Sequence, residues 1–102
     1  MTPAITLLTK KRIAHTVLKY DHDANAVSYG LEAVEKLNLD ADTVFKTLVV
    51  STDNNKLAVA VVPVNTKLSE KKMAKALGVK KVEMAQANAV MVATGYVLGG
   101  VS

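Results

Sequence analysis

One lysine in the middle of the chain occupies an apolar setting that is unusual for a cation. Lys46 lies in a β-branched, apolar run that predicts a strand over residues 43–52. Side chains two residues apart share a face of a strand, so Lys46 shares its face with Val44, Leu48 and Val50. A buried ammonium group is costly, and a cleft that admits an anion would explain this position. A lysine near the start of the strand, with its amine reaching water, explains it equally well.

The two histidines invite a metal-binding or catalytic interpretation, but their spacing matches no recognised motif. His15 falls in an alternating segment, residues 14–20, and is expected to be exposed. His22 follows Asp21, and with Ser28 they supply the ingredients of a Ser-His-Asp triad without its motif. We therefore expect His22 to be a solvated loop residue and Ser28 to cap a helix, and we expect no metal or cofactor.

Lysines cluster in the second half of the chain. Lys71 and Lys75 are four residues apart, so they share one face of a predicted helix. Such a face is usually only solvated, but it would also suit the sequence-independent contacts that proteins make to nucleic-acid phosphates. The candidate phosphate-contacting residues are Lys71, Lys72, Lys75, Lys80 and Lys81.

Composition restricts the class of protein. Of the 102 residues, 50% are hydrophobic and 22% are charged, which is typical of a globular domain and excludes a disordered tail. The absence of cysteine excludes a disulfide framework, a thiolate zinc site and a cysteine nucleophile. A net charge of +4 permits a polyanionic partner without requiring one. Because no signal peptide or membrane-spanning pattern is recognised, we expect one cytoplasmic domain and no membrane association.

Caps, turns and alternation together predict an α+β fold. Three helices are predicted, with N-caps at Thr2, Ser28 and Ser69 and with ends near Lys11, Asn38 and Gly78. Four strands are predicted, over residues 14–20, 43–52, 57–64 and 80–85, the middle two forming a hairpin. Residues 86–93 fit either a helix or a strand.

Two predictions concern which faces are buried. The strand over residues 57–64 is apolar on both faces, so we expect it to be covered on both sides. The helix that follows Ser69 is expected to pack through Met73, Ala76 and Leu77. From Met84 to Ser102 the chain carries no charge, and we expect further structure to pack over this stretch.

An ordered set of short motifs runs through the whole chain. It comprises Met1–Ala4, Tyr20–Asp23, Val44–Leu48, Leu57–Val61, Lys72–Gly78, Lys80–Ala85, Thr94–Tyr96 and Gly99–Ser102. Each motif is short, but their order is specific. Through this set the chain resembles the YbaK/EbsC family of Cys-tRNA(Pro) deacylases, whose domain is also inserted in many bacterial prolyl-tRNA synthetases as an editing module.

The resemblance implies a fold and a site. The fold would be a mixed, partly closed, barrel-like β-sheet surrounded by helices. Lys46 matches the functional lysine of the family and is the implied catalytic residue. The residues implied to bind the substrate are Tyr20, Tyr29, Thr47, Gly99 and Gly100. The two glycines would approach the terminal adenosine and the aminoacyl ester, and the lysine cluster would contact the tRNA.

The implied activity is removal of cysteine from mischarged tRNA(Pro) in trans, in which the cysteine thiol attacks its own ester and the protein supplies positioning and electrostatics. Two alternatives stay open. One is removal of another small amino acid, such as alanine, by water, and the other is a non-catalytic module that binds tRNA or prolyl-tRNA synthetase. Because family members continue through a later functional aspartate, we expect residues 1–102 to be one editing domain lacking roughly its C-terminal third, weakly active and prone to self-association.

Overall fold

Four α-helices and a three-stranded sheet make up the regular structure of residues 2–25 and 28–102, which the computed structural model describes. Met1, the first residue of the opening motif, lies outside them. The elements in chain order are α1 (Pro3–Lys10), α2 (Tyr29–Leu37), a short 3-10 helix (Ala41–Thr43), β1 (Phe45–Thr52), β2 (Leu57–Pro63), α3 (Glu70–Leu77), β3 (Val82–Met84) and α4 (Ala87–Thr94). None of the helices in these residues has the length and apolar character needed to cross a bilayer.

The predicted helix boundaries are confirmed by their caps. The hydroxyl oxygens of Thr2, Ser28 and Ser69 each accept a hydrogen bond from the backbone N–H three residues later. These bonds satisfy donors that the first turn of a helix otherwise leaves without a partner. At the other ends Asn38 and Gly78 adopt left-handed backbone angles, with φ of 52° and 70°, and stop α2 and α3.

The predicted hairpin forms two of the three strands of the sheet. Strands β1 and β2 pair antiparallel from Phe45 with Pro63 to Ser51 with Leu57. The turn between them closes on Asn55, whose φ of 59° is left-handed, a conformation that asparagine tolerates. Strand β3, which the sequence predicted over residues 80–85, pairs with the other edge of β1.

The barrel-like prediction is wrong, because the sheet is open. Its order is β2-β1-β3, all three strands are antiparallel, and β2 lies at an outer edge. The predicted strand over residues 14–20 does not form, and its Val17 and Leu18 are exposed. Alternation of side chains makes a segment suitable for a strand but does not supply a partner strand. Three strands are also too few to curl into a closed sheet.

Two small cores lie on opposite faces of β1. Val50 packs with Ala74 of α3 and Val82 of β3 on one face. Val49 packs with Ala85 and with Val90 of α4 on the other. The structure therefore resolves the ambiguity at residues 86–93 in favour of a helix, which covers the face of β1 that α3 does not reach.

Two burial predictions are wrong for reasons of position. Strand β2 is covered on only one face, because it lies at the sheet edge where neither core reaches Val59 and Val61, which are 55% and 62% exposed. Helix α3 packs through Ala74 and the half-buried Met73, while Ala76 and Leu77 are exposed. The small side chain of Ala74 suits the close approach of the helix to the sheet.

The first helix is fastened to the far end of the chain. The backbone N–H of Ala4 donates a hydrogen bond to the Tyr96 hydroxyl oxygen at 2.9 Å, across 92 positions of sequence. Ala4 lies in the first turn of α1, where a backbone N–H has no partner within the helix. Tyr96 therefore completes the capping of α1 from just beyond the end of α4.

Candidate functional site

Three of the predicted substrate-binding residues converge at the start of α2. Tyr29 is the first residue of this helix, and the Tyr20 hydroxyl donates a hydrogen bond to its carbonyl oxygen at 3.3 Å. The Tyr29 ring lies against Gly99: a β-carbon added there would be 3.1 Å from both Cδ2 and Cε2. Gly99 also has a φ of 89°, which side-chain-bearing residues rarely adopt. Both the backbone conformation and the contact with Tyr29 therefore favour glycine at this point.

Lys46 reaches the same region from the sheet. Its amine donates a hydrogen bond of 3.4 Å to the carbonyl oxygen of Val64, and its side chain is half-buried. Val64 in turn fills the space beside Gly30 of α2, where an added β-carbon would be only 2.5 Å from Val64 Cγ1. Lys46 and Gly30, which lies at the start of α2, thus both lie against Val64. The half-buried amine is compatible with both an anion-accepting cleft and contact with water, so that choice stays open.

Two of the predicted substrate-binding residues, Thr47 and Gly100, are less well placed to contact a substrate beside Tyr29. Thr47 projects from the opposite face of β1 to Lys46, because neighbours in a strand alternate. Gly100 donates its N–H to the Val97 carbonyl oxygen at 3.0 Å, so this donor is already used within the loop. Within residues 2–25 and 28–102 the Gly99 N–H has no hydrogen-bond partner, which leaves Gly99 as the better placed of the two glycines.

A buried carboxylate lies beside this group and was not predicted. Glu32 is 7% exposed, and its Oε1 lies 2.6 Å from Nδ1 of His22. Its Oε2 accepts the backbone N–H of Asp23 at 2.7 Å and lies 3.4 Å from the Lys36 amine. The hydrogen bond from His22 lowers the pKa of the Glu32 carboxyl, against the opposing effect of burial, and the Asp23 N–H acts in the same direction as His22.

His22 is an exposed loop residue, as expected, but its side chain also makes two specific contacts. Its side chain is 41% exposed, but it is held at Nδ1 by Glu32 and stacks on the Tyr29 ring, with the centroids 4.6 Å apart and the planes 25° apart. Ser28 is a helix cap as predicted, since its hydroxyl accepts the Leu31 N–H. No triad is assembled from these residues. Within the described residues, no three His, Cys, Asp or Glu side chains form a group that could hold a metal ion.

The pair of His22 and Glu32 left little signal in the sequence. Glu32 follows Leu31, and a single glutamate among the apolar residues of the predicted helix forms no distinctive pattern. In the structure Leu31 is 47% exposed while Glu32 is buried. The one available hint is that a histidine precedes and a glutamate follows Tyr29, which the family resemblance implied to bind the substrate.

The lysine cluster divides between two surfaces. One groove of about 470 Å³ lies between α3 and β3, and its charged lining consists of Glu70, Lys71, Lys80, Lys81 and Glu83. Lys75 lies one helical turn after Lys71 on the same face of α3. Lys72 instead lines a second groove beside β2, together with Lys67. We refer to Lys71, Lys75, Lys80 and Lys81 as the α3–β3 lysines.

Comparison with known proteins agrees with the motifs and the fold. The profile of the aminoacyl-tRNA editing domain matches residues 23–102, and the chain belongs to this family. The chain is 44% identical over 68 residues to EbsC of Enterococcus faecalis, whose assignment as a Cys-tRNA(Pro)/Cys-tRNA(Cys) deacylase is provisional. That match covers 67% of this chain and 42% of EbsC.

A solved structure shares the fold. The crystal structure of the hypothetical protein APE2540 superimposes with a TM-score of 0.79 at 26% sequence identity. The superposition covers 96% of this chain and 63% of the APE2540 chain. The chain thus spans less than two thirds of the length of either relative.

Proposed function

We propose that this chain removes a wrongly attached amino acid from tRNA, and that its preferred substrate is Cys-tRNA(Pro) acted on in trans. The observation that carries the proposal is the convergence of Tyr20, Tyr29 and Gly99 beside the half-buried Lys46. Membership of the editing-domain family and the similarity to EbsC support both the reaction class and the cysteine substrate.

Each residue of the site has a role in this proposal. Lys46 holds the terminal phosphate or ribose of the acceptor end, because a lysine side chain donates hydrogen bonds to phosphate and hydroxyl oxygens. The aromatic ring of Tyr29 offers a surface for the terminal adenosine, and Tyr20 fixes the backbone from which that ring projects. The Gly99 N–H, which is unpaired within the described residues, binds the ester oxygen.

The substrate supplies the nucleophile. The thiol of the esterified cysteine attacks the carbonyl carbon, a C–S bond forms, and the C–O bond to the ribose breaks. The ribose oxygen takes the thiol proton, and water then opens the resulting thiolactone to free cysteine. Positioning alone can supply much of the rate enhancement in such an intramolecular step. The protein itself contains no cysteine, and Ser28 and His22 are engaged in other contacts.

This mechanism also accounts for selectivity. A small pocket distinguishes amino acids poorly by size, since one methylene is worth about 1–3 kcal/mol. A reaction that depends on a thiol spares alanine and proline regardless of fit. The tRNA body binds through the α3–β3 lysines, which are exposed, and prolyl-tRNA synthetase in the cytoplasm is the proposed source of the mischarged tRNA.

Single-turnover deacylation by the 102-residue chain tests the proposal. With excess protein, Cys-tRNA(Pro) should lose its amino acid much faster than Ala-tRNA(Pro) or Pro-tRNA(Pro). Equal loss of alanine would show that water is the nucleophile. Binding of tRNA without any deacylation would favour a non-catalytic module and overturn the proposed reaction.

A further inference from the structure

The Tyr29 ring contacts two different groups. Its edge atoms Cδ2 and Cε2 lie against Gly99, and its face stacks on the imidazole of His22. Tyr29 itself is 43% exposed, so the surrounding core does not fix its side chain. The rotamer of an exposed aromatic ring at a helix start is set by the contacts that remain. Among the residues that the structure describes, His22 and Gly99 both contact this ring.

His22 is in turn held by a group that cannot easily move. Glu32 lies in the first turn of α2, is buried, and receives hydrogen bonds from both His22 and the backbone of Asp23. An ionised carboxylate only accepts hydrogen bonds, so Nδ1 of His22 is the donor in its bond to Glu32. The pair therefore fixes the ring plane of His22 at its Nδ1 edge.

We propose that His22 and Glu32 are positioning residues that set the Tyr29 ring against Gly99 and so fix the surface on which the acceptor end lies. The inference rests on the proposed function, because the proposed function is what assigns the Tyr29 ring to the acceptor end of the tRNA. Contacts run in one series from the Glu32 carboxylate to the His22 ring, the Tyr29 ring and the Gly99 backbone. Neither His22 nor Glu32 touches the reacting ester in this scheme.

The proposal predicts a structural effect that does not depend on activity. The ring current of Tyr29 should shift the α-proton resonances of Gly99. A β-carbon built on Gly99 would lie 3.1 Å from Cδ2 and Cε2 of the ring, so the ring is close to the Gly99 α-carbon. His22→Gln keeps a hydrogen-bond donor for Glu32 but removes the stacking ring, and Glu32→Gln keeps the shape but removes one acceptor. Both substitutions should move the Gly99 resonances toward values without a ring current. His15→Gln and Glu35→Gln are matched controls at exposed positions and should leave them unchanged.

The kinetic effect separates positioning from mere stability. With Cys-tRNA(Pro) as substrate, loss of orientation should lower kcat by roughly 10- to 100-fold with a smaller change in KM. His22→Phe restores a stacking ring without the Glu32 bond, and should recover part of the decrease in kcat that His22→Gln causes. A variant that is only less stable would show neither the partial recovery nor a kcat-specific decrease below its melting temperature.

The outcomes are distinct. Unchanged Gly99 resonances in His22→Gln would overturn the inference, because the pair would then not position the ring. Shifted resonances with unchanged kcat would also overturn it, because the position of the ring would not matter to the ester. If the unmodified chain deacylated none of the three charged tRNAs, the proposed function would fail, while the Gly99 resonances would still decide whether the pair holds the ring.

Discussion

At the scale of single residues, the amine of Lys46 is the clearest candidate for direct contact with substrate. Lys46→Ala and the near-isosteric Lys46→Met should each lower deacylation of Cys-tRNA(Pro) by about 100-fold, the effect of removing one well-placed donor to a developing charge. Neither should destabilise the fold much, because the amine makes one long hydrogen bond to Val64. Deacylation kinetics and thermal unfolding measure the two effects.

Lys56→Ala is the control, since Lys56 is exposed beside the hairpin turn at the other end of β1. Full deacylation by either Lys46 variant would remove Lys46 from the site. A decrease of similar size in Lys56→Ala would show that the reaction responds to net charge alone.

Substitution of Gly99 can separate the effect of backbone conformation from the effect of contact with the Tyr29 ring. Gly99→Ala and Gly78→Ala both place a side chain at a left-handed φ, and each should cost about 1–2 kcal/mol of unfolding free energy. Only Gly99→Ala also meets the Tyr29 ring, whereas nothing lies within 4 Å of the position at Gly78. We expect deacylation to fall in Gly99→Ala alone, as measured beside denaturant unfolding of both variants. Equal activity in the two would mean that the approach of Tyr29 to Gly99 is unimportant for the reaction.

Glu32 predicts a specific dependence of stability on pH. Its pKa is lowered in the folded chain, so the unfolded state binds more protons as pH falls below the ordinary value of 4.5. The stabilisation is therefore fully present above that pH and disappears as the pH falls through the lowered folded value. Melting temperatures from pH 7 to pH 3 should fall more steeply for the unmodified chain than for Glu32→Gln. Glu35→Gln should keep the steep fall, and parallel curves for all three proteins would contradict the assignment.

Some of these site residues could be predicted from the resemblance to a known family, and others could not. Tyr20, Tyr29 and Gly99 were selected by motif resemblance, and the structure brings them together. Glu32 was missed because a glutamate in the first turn of a helix normally needs no further explanation than the helix dipole. Its burial results from contacts with His22 and Asp23 that no local pattern encodes.

At the scale of elements, the α3–β3 lysines form a surface that can be tested by salt dependence. Removing one lysine that binds a phosphate should flatten the slope of log K against log salt by about 0.7–0.9. Lys71→Ala with Lys75→Ala should therefore reduce the slope for tRNA binding by roughly twice that amount. Titrations of fluorescent tRNA at several salt concentrations measure it.

Lys56→Ala with Lys67→Ala is the charge-matched control, because Lys56 lies beside the hairpin turn and Lys67 lines the other groove. It should leave the slope nearly unchanged. A similar reduction in both double variants would indicate a diffuse basic surface. No reduction in either would leave the α3–β3 lysines merely solvated.

Elements were predicted well where the signal was local and poorly where it required a partner. The caps at Thr2, Ser28 and Ser69 depend on atoms within three residues, and all three are confirmed. The strand predicted over residues 14–20 needed a free sheet edge beside it, and the structure provides no pairing there. The prediction of a partly closed sheet was wrong for the same reason, since closure also requires partner strands at the sheet edges.

At the scale of the whole molecule, the described chain is less compact than its length predicts. Its radius of gyration is 14.9 Å, against about 13 Å for a typical domain of 100 residues. The largest fully buried side chains are two valines, Val50 and Val90. The exposed segment over residues 14–20 and the uncovered face of β2 account for this shape.

The edge of β2 predicts association between copies of the chain. Val59 and Val61 are exposed on a strand whose outer edge has no partner within the described residues, and such edges pair readily. Val61→Lys should weaken self-association by about tenfold or more, because burying a valine is worth about 1.5 kcal/mol. Sedimentation velocity over a range of concentrations measures this.

Leu7→Lys is the control, since Leu7 is also apolar and 52% exposed but lies on α1. It should leave the association unchanged. If the unmodified chain stays monomeric at high concentration, the edge of β2 is not an association surface.

The hydrogen bond between Ala4 and Tyr96 has a consequence for the order of folding. Closing a long stretch of chain costs entropy that grows with the logarithm of its length, so a contact across 92 positions is favourable only after the intervening structure has formed. The hairpin of β1 and β2 spans a much shorter loop and can form early. We therefore expect the Ala4 amide proton to exchange with solvent sooner than those of the hairpin, through partial openings that release α1 while the sheet stays intact.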